Sequence, residues 1–174
     1  MSEFLRQPSN KNFLSPLGFK FVINKTPNMN FFVQSVDIPD VSNDYAEEPT
    51  PFKKIPYVGT ELSYGDLQIT FKIAEDMSNY IEIFNWITGI GFPDNFEQRA
   101  DLQNQPSTSG QGLYSDATLI ILSSLMNPVM EVSFKDLFPV LLSSVRLDST
   151  TDDVTYVEAT ATFKFASMKM NPVI

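Results

Sequence analysis

Several stretches of the chain alternate apolar and polar residues with period two, the mark of a strand with one buried face. Leu17, Phe19, Phe21 and Ile23 alternate with Gly18, Lys20, Val22 and Asn24, which predicts a first strand over residues 17–24, closed by a turn at Lys25, Thr26, Pro27 and Asn28. Phe31, Phe32, Val33, Val36 and Ile38 predict a second strand stopped by Pro39. Its apolar positions are too dense for clean alternation, which suggests cover on both faces. Leu67 to Ile73 alternates throughout, Thr118 to Leu122 is a continuous apolar run fit for a buried strand, and Met130, Val132 and Phe134 alternate with Glu131 and Ser133 after an Asn127-Pro128 turn. Val157, Ala159, Ala161, Phe163 and Phe165 alternate with Glu158, Thr160, Thr162 and Lys164. Leu141, Val145 and Leu147 are the expected partner strand, joined to it through the polar turn Asp148 to Asp153, so that residues 135–165 form a long hairpin.

One segment has the period of a helix. Met77, Tyr80, Ile81, Phe84 and Ile87 form an apolar stripe, with Asp76 or Ser78 as N-cap and Gly89 or Gly91 as the stop. Ile83 and Trp86 lie off this stripe, which means either a wide buried face or a second contact to another subunit. From Asp40 to Glu61 the chain reads as irregular: Pro49, Pro51 and Pro56 are interleaved with Phe52, Ile55, Tyr57 and Val58, and proline at this density forbids a central strand. The segment is either a surface loop tucked onto the core or an arm that binds a neighbour. Phe92 to Asp116 is a long polar loop, and neither Gly89-x-Gly91 before it nor Gly110-x-Gly112 within it has the further residues of a phosphate cradle. The expected organisation is a mobile segment over residues 1–16, one domain over 17–170, and a tail over 171–174. Met168 and Met170 are placed to dock on the domain or on a neighbour.

Composition narrows the chemistry. At 174 residues with 43% hydrophobic residues the chain is a globular domain with room for a core. It has no Cys and no His, which removes serine triads, cysteine nucleophiles, the usual zinc sites and disulfides. The acid pairs Glu47/Glu48, Glu75/Asp76 and Asp152/Asp153 fall at strand ends and turn tips, where solvated carboxylates are expected, and Asp148, Asp152 and Asp153 do not have the spacing of an EF-hand. No catalytic residue, metal or cofactor is expected. A net charge of −9 argues against a grip on nucleic acid. No run approaches eighteen apolar residues, and Met1 to Asn12 lacks the apolar core of a signal peptide, so cytoplasmic synthesis without a membrane span is expected.

The Asp136-Leu137-Phe138-Pro139 lead-in, the acidic Ser/Thr-rich turn, the alternating strand ending in Phe163-Lys164-Phe165 and the Asn85-Trp86 helix after a strand resemble tail-tube proteins of contractile-tailed bacteriophages. The resemblance covers roughly Leu17 to Met170 by element order. It implies a mainly β domain, two packed antiparallel sheets or a partly closed barrel with one flanking helix. It also implies a virion structural protein, assembled in the host cytoplasm, whose hexameric rings stack into the inner tube of a contractile tail. Expected partners are other copies, the sheath, and baseplate or terminator proteins, with DNA passing through unbound. The arm residues Phe52, Ile55, Tyr57 and Val58 would touch adjacent subunits. Gln68, Thr70, Glu131, Ser133, Glu158, Thr160 and Thr162 would face the lumen, interrupted by Lys72 and Lys164. A baseplate tube initiator and a secretion tube of the Hcp type share this architecture, and a monomeric ligand-binding β-sandwich is the alternative that does not assemble.

Overall fold

The computed structural model describes residues 12–91, 96–104, 112–150 and 156–173. The expected mobile segment therefore lies largely outside the described residues, as do Asp152 and Asp153.

The alternating stretches form strands. β1 (Phe19–Ile23) buries Phe21 and Ile23, β5 (Leu67–Lys72) buries Leu67, Ile69 and Phe71, and β6 (Ser115–Leu122) buries Ala117 and Leu119. β8 (Glu158–Lys164) buries Ala159, Ala161 and Phe163. The organising strand is β7 (Pro128–Leu142): its first half pairs with β6 and its second half with β8, so one strand joins two antiparallel halves. The switch is a bulge. Ser115 lies opposite Leu137 but Ala117 opposite Phe134, which leaves one extra residue on β7. Asp136 takes that position with φ 55°, and its N–H donates to the Asp116 Oδ1 at 3.3 Å. The extra residue resets the alternation, so that Val132 and Phe134 before it and Leu137 after it all point inward.

With β2 spanning Val33–Asp37, the sheet order is β1-β6-β7-β8-β5-β2, and β1 and β2 are not paired with each other, so the barrel is open between them. β2 is therefore an edge strand, and its Gln34, Ser35 and Asp37 are exposed; the expected cover on both faces is absent. The density of apolar residues there has another cause. Phe31 and Phe32 belong to a short helix, α1 (Pro27–Phe32), which replaces the expected turn, with Pro27 in its first turn and Met29 fully buried.

Three further expectations are corrected. The chain from residue 40 to 61 is not irregular: β3 (Val41–Pro49) and β4 (Lys54–Tyr64) form a two-stranded hairpin. Proline is tolerated there because both strands are edges. The partner of β8 is Phe138 to Leu142, and Val145 and Leu147 lie beyond the end of that strand. The end of the expected domain and the start of the tail form a strand, β9 (Ser167–Pro172), paired with the first half of β7 from Met130 to Lys135.

The long helix α2 (Ser78–Ile90) packs on β7, with its buried face turned off the expected stripe, of which only Tyr80 and Ile87 pack against the core. Its buried residues are Asn79, Ile83, Trp86 and Gly89, while Ile81 and Phe84 are exposed. Met77, not Asp76 or Ser78, holds the N-cap position, in the left-handed region at φ 55°, and the Asp76 carboxylate accepts the Ser78 N–H at 3.0 Å. That backbone hydrogen bond holds the Asp76 carboxyl below the usual carboxylate range. α2 is not the sole helix, since α3 (Phe96–Asn104) forms within the expected polar loop and packs Leu102 on the core.

Candidate assembly surfaces

The β3–β4 hairpin stands clear of the domain. Its strands pair with no other described strand, none of their residues is buried, and the Gly65 N–H donates to the Asp40 carbonyl at 3.0 Å to close its base. Tyr64 anchors that base against the Phe165 ring at 5.4 Å. At a rise of about 3.3 Å per residue an eleven-residue strand is about 36 Å long, comparable to the width of the domain that carries it. The hairpin changes register between Asn43 and Tyr45, where Gly59 lies so close to the other strand that a Cβ there would sit 2.2 Å from the Asp44 carbonyl oxygen. Only glycine fits that crossing. At the tip the Thr50 N–H donates to the Lys53 carbonyl at 3.0 Å, and the Lys53 N–H donates back to the Thr50 Oγ1 at 3.2 Å. This turn holds Phe52 at 97% exposure.

The four expected arm residues thus sit on one projecting element. Phe52 is at its tip, Ile55 lies opposite Glu48, Tyr57 opposite Ala46, and Val58, 88% exposed, opposite Tyr45. The Lys54 ammonium and the Glu47 carboxylate pair at 2.7 Å across the arm.

The expected lumen residues divide into two groups. Gln68 lies opposite Thr162, Thr70 opposite Thr160, and Lys72 opposite Glu158, on the face of β5 and β8 turned away from the core. The Thr70 and Thr160 hydroxyls meet at 3.3 Å, and Thr162 is covered, lying between Gln68 and Leu141 of the adjacent strands. Glu131 and Ser133 lie on the other half of the sheet, opposite Asn171 and Lys169 of β9, with the Ser133 hydroxyl donating to Glu131 at 3.5 Å. The two lysines that interrupt an acidic wall are matched locally: Lys164 pairs with Asp66, and the Lys72 ammonium lies 5.1 Å from the Tyr156 ring centroid. Met168 packs on the chain's own core and Met170 is half exposed. Among the described residues no group of three His, Cys, Asp or Glu side chains could hold a metal ion, and no helix is long and apolar enough to cross a membrane.

Sequence reasoning missed three further surfaces. The edges of β1 and β2 pair with no further strand, although at Ile23 the Asn30 side-chain amide holds both backbone groups. The outer face of α2 presents Ile81 and Phe84. Past the end of β5 a groove of about 700 Å³ opens between α1, the start of α2 and the segment containing Leu147.

A scan against protein-family models finds no match, and a search of curated proteins finds none either. Solved structures are similar over nearly the whole chain. A chain of the sheath–tube complex of an extracellular contractile injection system, PVC, in its extended state is 17% identical, with 94% of each chain covered and a TM-score of 0.64. A chain of the tube-terminating cap of the anti-feeding prophage is 11% identical, with 99% of this chain and 100% of that one covered and a TM-score of 0.66. A chain of the PVC sheath/tube terminator is 17% identical, with 93% and 99% covered and a TM-score of 0.63. The chain has the fold of the tube proteins of contractile injection systems.

Proposed function

We propose that this chain is a structural subunit whose copies close into hexameric rings and stack into the inner tube of a contractile tail or injection machine. The observation that carries the proposal is the quantity of apolar and unpaired surface left open on a domain of this fold. An arm with Phe52, Tyr57 and Val58 uncovered, together with the free edges of β1 and β2, is unfavourable in a monomer. In a ring, neighbouring copies cover the edges and the sheets become one closed wall. The sheath and the baseplate or terminator are the further partners in this reading, supported by the complexes in which the similar chains are found. Catalysis has no part in it.

In the phage form of the reading the tube conducts DNA during ejection. The wall is then the face carrying Gln68, Thr70, Glu158, Thr160 and Thr162, continued by Glu131 and Ser133, and the net charge of −9 leaves the nucleic acid no binding minimum along it. Tube and terminator chains are similar to this one to the same degree, which favours a second reading, a ring at the end of a tube. Negative-stain microscopy of the purified protein separates them: stacked rings support the tube subunit and single rings the end piece, while monomers at every concentration contradict both.

A further inference from the structure

We infer that the groove beyond the end of β5 is the receptor for the arm tip of another copy, with Phe52 as the inserted anchor. The inference rests on the tube-subunit reading and names the contact that would propagate it.

The groove is lined by Phe32, Ile73, Met77, Leu147 and Tyr156, with Leu147 82% and Tyr156 73% exposed. Its volume accommodates an aromatic side chain with its flanking turn residues. The arm leaves the domain at the Tyr64–Leu67 end of β5, where Gly65 is bonded to Asp40, whereas the groove opens at the Lys72–Met77 end. These ends are separated by the length of a six-residue strand, about 20 Å. An arm that pairs only with itself and starts at the far end is placed to fill a neighbour's groove. Donor at one end and receptor at the other make a head-to-tail contact, the kind that builds rings or stacks.

Chemistry matches as well as position. The tip presents an aromatic residue on a turn held by two hydrogen bonds, so little conformational freedom is lost on insertion. Lys53 flanks Phe52 and has an acidic counterpart in Glu75 of the groove wall. Glu48 of the arm has a basic counterpart in Lys72, whose ammonium already lies beside Tyr156 at the groove. The occupant is thus a second copy of this chain.

The chain has no cysteine, so single thiols report the contact cleanly. Phe52→Cys and Leu147→Cys proteins are mixed under assembling conditions and treated with a short bismaleimide. A cross-linked dimer of the two variants is expected, with none between Phe84→Cys and Leu147→Cys. In assembled wild-type-like tubes Leu147→Cys is expected to be protected from maleimide, and Phe52→Asp to raise the concentration needed for assembly roughly tenfold or more, with an unchanged melting temperature at concentrations where neither protein assembles. If wild-type protein assembles while the cross-link is absent, Leu147→Cys labels freely and Phe52→Asp assembles normally, the groove assignment is overturned and the tube reading stands. If wild-type protein never assembles, both are overturned.

Discussion

Replacing Trp86 with alanine is expected to destabilise the folded chain by about 3–5 kcal/mol, the range for removing a large aromatic side chain from a packed core. The magnitude follows from its surroundings. The indole is 2% exposed, its ring lies 6.2 Å from that of Phe163, and its Nε1–H donates to the Leu113 carbonyl at 2.9 Å. The Lys25 ammonium lies 5.3 Å from the ring centroid, and burial lowers the pKa of that lysine. Trp86→Phe keeps most of the packing but leaves the Leu113 carbonyl without its donor, for a cost of about 1–3 kcal/mol. Phe84, two residues earlier on the same helix, is 51% exposed, and its alanine variant is expected to lose about 1 kcal/mol or less. In a chain of this length Trp86→Ala therefore lowers the melting temperature by about 6–20 °C. Far-UV circular dichroism measures the melts, at a concentration where light scattering gives all variants the same mass, since association adds stability by mass action. Equal losses from Trp86→Ala and Phe84→Ala would refute the assignment of the buried face of α2, and with it the packing of the helix.

Asn79 is a second core residue with a large expected effect. It is fully buried, its Nδ2 donates to the Lys72 carbonyl at 2.7 Å, and its Oδ1 accepts the N–H groups of Ala74 at 3.2 Å and Tyr80 at 2.9 Å. Asn79→Ala is expected to cost about 2–4 kcal/mol in urea unfolding. Gly59→Ala acts on assembly instead: it forces the arm strands apart, so the unfolding midpoint should stay near wild type while ring or tube formation measured by scattering weakens. Glu82 gives a pH signature, because burial raises its pKa while Asn28 donates to it at 2.7 Å. Its folded pKa lies above the unfolded one, so the stability it contributes is fully present below the unfolded value and is lost as pH rises through the folded value. Unfolding of Glu82→Gln should therefore show a flatter pH dependence above the ordinary glutamate range, and an unchanged dependence would contradict the burial argument. In the DNA-conduit form of the function, Glu131→Lys combined with Glu158→Lys should slow ejection from particles that still assemble; ejection at the normal rate would count against those residues lining the wall.

The strands with a dry and a wet face were legible because period two survives in residues such as Leu67 to Ile73, and burial follows it residue by residue. What was not legible had local signals too weak or too ambiguous to decide. Residues 40–61 carry prolines that exclude a central strand, but a two-stranded arm has only edges, and Pro49 and Pro56 sit in it without breaking the pairing. On α2 the apolar stripe Met77, Tyr80, Ile81, Phe84, Ile87 competed with Asn79, Ile83, Trp86, Ile90. Both have helical spacing, and the second starts with a polar residue whose hydrogen bonds exist only in the folded chain. α1 is a helix of six residues that no periodicity argument reaches, and its Phe31 and Phe32 were absorbed into the strand that follows. Of the candidate surfaces, the arm residues were legible as large apolar side chains interleaved with prolines in a segment that could not be a central strand. The groove was not, because it joins residues 32, 72–75, 77, 145, 147, 156 and 157, which only the fold brings together.

The central claim, that this domain exists to assemble, is tested most directly by the mass of the purified wild-type protein in solution, measured by light scattering across a concentration series. Closed rings or stacked rings are predicted, with a mass about six times the 19.6 kDa of one chain or a multiple of that. A mass that stays at that of one chain as the concentration rises would contradict it.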